Sequence, residues 1–246
     1  MTRVKSPDSA AGSVQERLVL ALEELRGRAT EKTLAGLVRF AIDAPSAIGV
    51  SMTDMKAIAK GLGKSHELAA ALWREGWYEA RMLATLVDDP KEVSLEQMEA
   101  WAADFDNWAI CDTACFCLFD RTPYAWIKVD EWAGREEEFV KRAAFALLAS
   151  LTVHDKKAPD KPFLRGLEHV ERAAADERNF VKKSVNWALR SIGKRSPALH
   201  VAAMEVAGRL AAAKEAAPRW VGKDALRELK GDSVGRRIAA KKAKDA

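Results

Sequence analysis

One internal repetition constrains the fold of this chain more than any other feature. Phe139-Val-Lys-Arg-Ala-Ala-Phe-Ala-Leu-Leu148 overlays Phe180-Val-Lys-Lys-Ser-Val-Asn-Trp-Ala-Leu189 at an offset of 41 residues. A unit of that length cannot bury its apolar face alone, so it must stack on copies of itself. The unit is helical. From Val14 onward apolar residues recur at three- and four-residue steps, as in Leu18, Leu22 and Leu25, or Leu34, Leu37, Val38 and Ile42. No stretch sustains two-residue alternation with β-branched enrichment, and no strand is predicted.

The expected architecture is all-α: a curved stack of antiparallel helix pairs of the HEAT type, with one helix of each pair lining a concave surface. Ser51, Ser65 and Ser94 are read as helix starts, the last with Gln97 as a capping box. Further helices are predicted over 107–119, 124–133, 136–153, 162–174, 177–193, 197–213 and 218–230. The run from Ala143 to Val153 is apolar on nearly every side, which marks a central, buried helix. Asp176 reads as the N-cap of the 177–193 helix and Gly193 as its end signal. Residues 1–12 read as a disordered lead, 13–232 as one helical domain, and 233–246 as a frayed basic tail.

With 48% hydrophobic and 31% charged residues among 246, the chain is long enough to bury a real core. Its net charge of +4 is mild, but acidic residues gather before position 140 and cations dominate from Lys182 onward. That asymmetry points the C-terminal half toward a nucleic acid or another anionic partner. No apolar run spans a membrane and the first twelve residues do not form a signal peptide, so a cytoplasmic location is expected. Cys111, Cys115 and Cys117 lie too close on one helix for a disulfide framework, and the four histidines are scattered; reduced, mostly buried thiols are expected and no metal site.

Two helices carry the residues of interest. Counting 100° per residue, the 177–193 helix buries Val181, Ser184, Val185, Ala188, Leu189 and Ile192, while Lys183, Trp187, Arg190 and Lys194 share another stripe. Such a row is either a solvated face or a surface for a polyanion, and an indole within it favours the second. The helix after Asn107 places Trp108, Asp112, Cys115 and Phe119 on one face. Asp112 is then either half of a structural ion pair or a functional carboxylate. Arg142 sits on the otherwise apolar helix and requires an anion, either Asp112 or a phosphate. Gly61-Leu-Gly63-Lys64-Ser65 is not a phosphate-binding loop, because Ile58 stands where the first glycine is needed and no strand precedes it.

Four segments together resemble the AlkD family of DNA alkylation repair glycosylases: Gly49-Val-Ser-Met-Thr-Asp-Met-Lys-Ala-Ile-Ala-Lys60, Leu72-Trp-Arg-Glu-Gly-Trp-Tyr-Glu-Ala-Arg-Met-Leu-Ala84, Trp101-Ala-Ala-Asp-Phe-Asp-Asn-Trp-Ala-Ile-Cys-Asp112, and Phe180 to Arg195. The resemblance covers roughly residues 15–215. It implies a HEAT-like solenoid that holds duplex DNA and excises cationic N3- or N7-alkylated purines. By resemblance Asp112 is the catalytic carboxylate, and Trp108, Arg142 and Trp187 contact the damaged nucleotide. Lys183, Arg190, Lys194 and Arg195 are expected to hold the DNA backbone. The resemblance implies a monomer working without metal or organic cofactor. The alternative from another class is a non-catalytic HEAT-type protein that recognises damaged or branched DNA.

Overall fold

The computed structural model describes residues 12–243. All but Gly12 of the expected N-terminal lead lies outside them. Fourteen α-helices and one 3-10 turn make up the regular structure, with no strand among the described residues. They divide into two compact units, Met1–Gln97 and Met98–Ala246. No helix among the described residues is long and apolar enough to cross a membrane.

The first unit contains α1 (Val14–Gly27), α2 (Glu31–Arg39), α3 (Met52–Leu62), α4 (His66–Arg74) and α5 (Tyr78–Val87), and α6 (Leu95–Ala103) carries the division between units. Its core is built from Leu18, Leu25, Met55, Ile58, Leu68, Leu72 and Leu83, all buried. Ser13 and Glu16 form a reciprocal capping box on α1. The fully buried Glu79 accepts the backbone N–H groups of Ile48, Gly49 and Val50, which satisfies a carboxylate that burial would otherwise penalise. Gly63 ends α3 at φ +69°, and Ser65 Oγ accepts the Leu68 N–H at the start of α4, so the glycine-lysine-serine stretch is a helix break. Ser94 Oγ accepts the Gln97 N–H, but the Gln97 side chain donates to Asp88 at 2.6 Å and does not close a box.

The second unit is a two-layer stack. One layer is α7 (Trp108–Cys117), α9 (Glu138–His154), α11 (Asn179–Gly193) and α13 (Ala216–Leu229), each packed on the next; α8 (Ala125–Trp132), α10 (Asp160–Ala173) and α12 (Pro197–Ala211) form the other. Neighbours in the first layer run parallel. Cys111 Sγ donates to the Phe139 carbonyl at 3.4 Å and Cys115 Sγ to the Ala143 carbonyl at 3.5 Å, so the contacts advance together. Phe139 and Phe180, equivalent positions of the 41-residue repeat, face each other at 5.5 Å. The repetition in sequence is thus a repetition in space.

The helix α9 is enclosed, with Ala143, Phe145, Leu147, Leu148 and Leu151 at 1% exposure or less. Burying each of the larger side chains stabilises the stack by roughly 1.5–3 kcal/mol. At α13 the backbone comes so near to α12 that a Cβ on Gly222 would lie 2.2 Å from the Ala211 nitrogen. Only glycine allows that crossing.

Two local expectations are corrected here, and one is met. Asp176 is not the N-cap of α11; Arg178 holds that position, and Asp176 Oδ1 accepts the Arg178 N–H while its carboxylate also meets the side chains of Arg178 and Lys141. Gly193 is the last helical residue, where the end of the helix was expected, and a Cβ there would strike Leu229 at 2.8 Å. The basic stretch expected to fray forms α14 (Asp232–Lys242), which packs on α12 and α13 through the buried Val234.

Candidate functional site

Asn107 starts α7 by accepting the N–H groups of Ala109 and Ile110, which fixes Trp108 in the first turn and Asp112 one turn later. Arg142 lies at the same depth on α9. Its Nε donates to Asp112 Oδ1 at 2.8 Å and its Nη2 to Oδ2 at 2.6 Å, while Nη1 reaches across to the Phe180 carbonyl on α11 at 2.7 Å. One side chain therefore ties three consecutive helices. The Arg142 guanidinium also stands 5.8 Å from the centre of the Trp108 ring, within the range of cation–π attraction.

Burial pushes the Asp112 carboxyl above its ordinary value, and the charge and hydrogen bonds of Arg142 offset only part of that. For Arg142 burial opposes the charge, but Asp112 more than offsets it and raises the guanidinium. The bidentate, charge-assisted geometry favours the ionised pair against that burial. The Asp112 side chain is 19% exposed against 8% for Arg142, so Asp112 is the more accessible member of the pair.

Trp187 lies on α11, half-buried, with its ring 6.2 Å from that of Phe116 and nearly parallel at 17°. Phe116 meets His154 edge-on at 4.6 Å. His154 Nδ1 in turn pairs with the buried Asp120, which also accepts Ser150 Oγ at 2.5 Å. A cleft of roughly 240 Å³ opens beside Trp187 and Phe116, with Lys194, Arg195 and Arg237 on its walls. Asp112 and Trp108 do not line it.

The expected backbone-binding cations are in different states. Lys183 is exposed, with no side-chain partner among the described residues. Arg190 Nη1 pairs with Glu228, and Lys194 Nζ donates to the same carboxylate at 2.6 Å, so two cations of the α11 row share one negative charge of α13. Arg195 turns away to the carbonyls of Thr152, Asp155 and Ala158 at 3.0, 2.8 and 2.7 Å, with its guanidinium over the Phe163 ring.

Phe116 and Glu228 are contributors that helical spacing alone did not single out. Phe116 had a signal, being four residues after Asp112 and eight after Trp108. Glu228 had none in its own helix; it meets Arg190 across 38 residues, close to the repeat length.

The second unit is thus a parallel layer of helices, backed by a second layer, that holds an aspartate–arginine pair with one indole against the guanidinium. The model of the family described as DNA alkylation repair enzyme matches residues 21–229, and the chain belongs to that family. The uncharacterized proteins Lin0241 of Listeria innocua and Lmo0209 of Listeria monocytogenes are each 24% identical over 162 residues, 65% of this chain and 70% of theirs. The fold is also that of a solved structure described as a new family related to the HEAT-like repeat DNA glycosylases with affinity for branched DNA structures. It superposes with a TM-score of 0.74 at 20% identity, over 90% of this chain and 95% of that one.

Proposed function

We propose that the protein is an alkylpurine DNA glycosylase, a single chain that hydrolyses the N-glycosidic bond of N3- or N7-alkylated purines in duplex DNA. It begins base excision repair on the DNA of the cytoplasmic nucleoid. The observation that carries this reading is the Asp112 carboxylate, held in place by two donors of Arg142 on a side chain that is still partly exposed.

An alkylated purine is already cationic, so the base leaves without a general acid. The glycosidic electron pair moves into the base and neutralises it, and positive charge develops on the sugar. The fixed negative charge of Asp112 stabilises that cation, because a preorganised group does not have to reorient as the charge appears. Each carboxylate oxygen spends one lone pair on Arg142 and keeps another for the water that attacks the anomeric carbon. The water's proton passes to Asp112 or to solvent, leaving an abasic site. Trp108 and Trp187 offer indole faces to the cationic nucleotide, each contact stabilising by about 0.5–2 kcal/mol. Lys183 is the exposed α11 cation for a phosphate; Arg190 and Lys194 serve once a phosphate competes with Glu228, and Arg195 contributes its charge from behind.

A second reading draws on the same pair: a carboxylate with both oxygens on one guanidinium also serves structure without chemistry. On that reading the protein binds damaged or branched DNA, in keeping with the affinity for branched DNA structures described for the family of the solved relative. Duplex DNA treated with a methylating agent separates the two. Wild type is expected to release 3-methyladenine or 7-methylguanine, and Asp112→Asn to release neither. If both bind DNA and neither releases base, the glycosylase reading fails.

A further inference from the structure

We infer that α14 is a phosphate-binding arm that holds the DNA backbone beside the damaged nucleotide, with Arg237 and Lys156 making the contacts. The helix begins at Asp232, beyond the residues 21–229 matched by the family model, so nothing in the family match assigns it a role. The inference rests on the DNA-binding part of the proposed function.

A second cleft, of roughly 600 Å³, adjoins the one at Trp187. Lys156, Asp160, Arg195, Ser196, Arg237 and Lys241 stand around it, and Thr152, Val153, Arg195 and Arg237 line both clefts. Four of the named side chains are cationic and one is acidic. That one, Asp160, already accepts Ser196 Oγ at 2.6 Å.

Two of these cations are fixed in place by backbone carbonyls. Arg195 spends its donors on three carbonyls, which accept hydrogen bonds without supplying a counter-ion, and it has no ion-pair partner among the described residues. Burial lowers its hold on the proton, and the charges of Asp155 and Asp160 offset part of that. Lys241 Nζ donates to the carbonyls of Lys194 and Arg195, which clasps α14 to the end of α11. With those two committed to backbone, Arg237 and Lys156 are left exposed with unused donors toward the cleft. Arg190 and Lys194 share the single carboxylate of Glu228, which halves their combined charge, and Arg195 and Arg237 add to the positive field next to Trp187 from this side. A duplex whose damaged nucleotide lies against Trp187 carries its next phosphates over that field.

The test is the salt dependence of binding to a fluorescein-labelled duplex, followed by anisotropy, with base release measured on the same preparations. Lys156→Ala/Arg237→Ala is compared with wild type and with Arg236→Ala, an exposed α14 cation that does not line the cleft. Circular dichroism checks that each variant keeps its helices. Losing two phosphate contacts makes the slope of log K against log salt shallower by about 1.8 and weakens low-salt binding by about tenfold, with Arg236→Ala near wild type. A double variant with the wild-type slope overturns the arm. Wild-type DNA binding without base release removes the glycosylase reading, and the slope still decides the arm. No salt-dependent DNA binding by wild type overturns both.

Discussion

The ring of Phe116 lies nearly parallel to that of Trp187, 17° from coplanar orientation and 6.2 Å away, so the indole proposed to touch the lesion is backed by a second aromatic from the helix that carries Asp112. Removing the ring in Phe116→Ala frees Trp187 to take other rotamers. Such aromatic pairs contribute about 0.5–1.5 kcal/mol, and affinity for a duplex with an alkylated purine should fall by roughly two- to tenfold while affinity for undamaged duplex changes little. Titrations of both duplexes check this; an equal loss on both would assign Phe116 to general stability.

Arg142→Met leaves a mostly buried carboxylate without its counter-charge. Breaking such a pair costs about 3–5 kcal/mol when fully buried, and about 2–3 kcal/mol is expected here because Asp112 is partly exposed. Denaturant unfolding at neutral pH measures the loss. Arg142→Met/Asp112→Asn should recover part of it, since the two side chains couple directly; strictly additive losses would count against the pair as one unit.

The same pair shapes the pH profile of base release. The reaction needs the carboxylate, and burial raises the Asp112 acid above its ordinary 3.8. As pH falls, Asp112 takes up its proton earlier than an exposed aspartate would, so activity declines on the acid side above that ordinary value. Arg142→Gln removes the charge that restrains the rise and should shift the limb further toward neutrality. Single-turnover rates across pH test the order; a limb moving downward in Arg142→Gln would contradict it.

Asp176 titrates in the opposite sense. Hydrogen bonds from Arg178, with Lys141 adding to them against the cost of burial, hold its carboxyl down at about 2. An acid depressed in the folded state contributes stability above its unfolded value near 3.8, and that contribution disappears as pH falls toward 2. Asp176→Asn should therefore cost about 1–2 kcal/mol at neutral pH, allowing for solvent screening. Its unfolding free energy should converge on that of wild type as pH is lowered from about 5 toward about 2.

The helices were legible wherever a local rule acts: apolar periodicity marked the repeat, and Ser51 and Ser65 caps marked starts. The misread positions are those whose side chains find other partners. Asp176 is taken by Arg178, with Lys141 from α9 joining it, and the Gln97 side chain by Asp88. For α14 the sequence offers only scattered charge, because one buried valine and one lysine-to-carbonyl clasp hold it. The cationic row on α11 had the same blind spot: Glu228, which pairs with both Arg190 and Lys194, lies on another helix.

The thiols of Cys111 and Cys115 acquire a meaning from where they sit. Both are on the α7 face that touches the α9 backbone, flanking Asp112 in sequence. They act as shims. A thiol is small enough to let the two helices close and polar enough to rest on a carbonyl, and the gap it leaves is the distance the guanidinium must cross. Loops between the helices can lengthen with little effect on that gap. A leucine in place of either cysteine would act as a wedge and part the carboxylate from the arginine without touching either one.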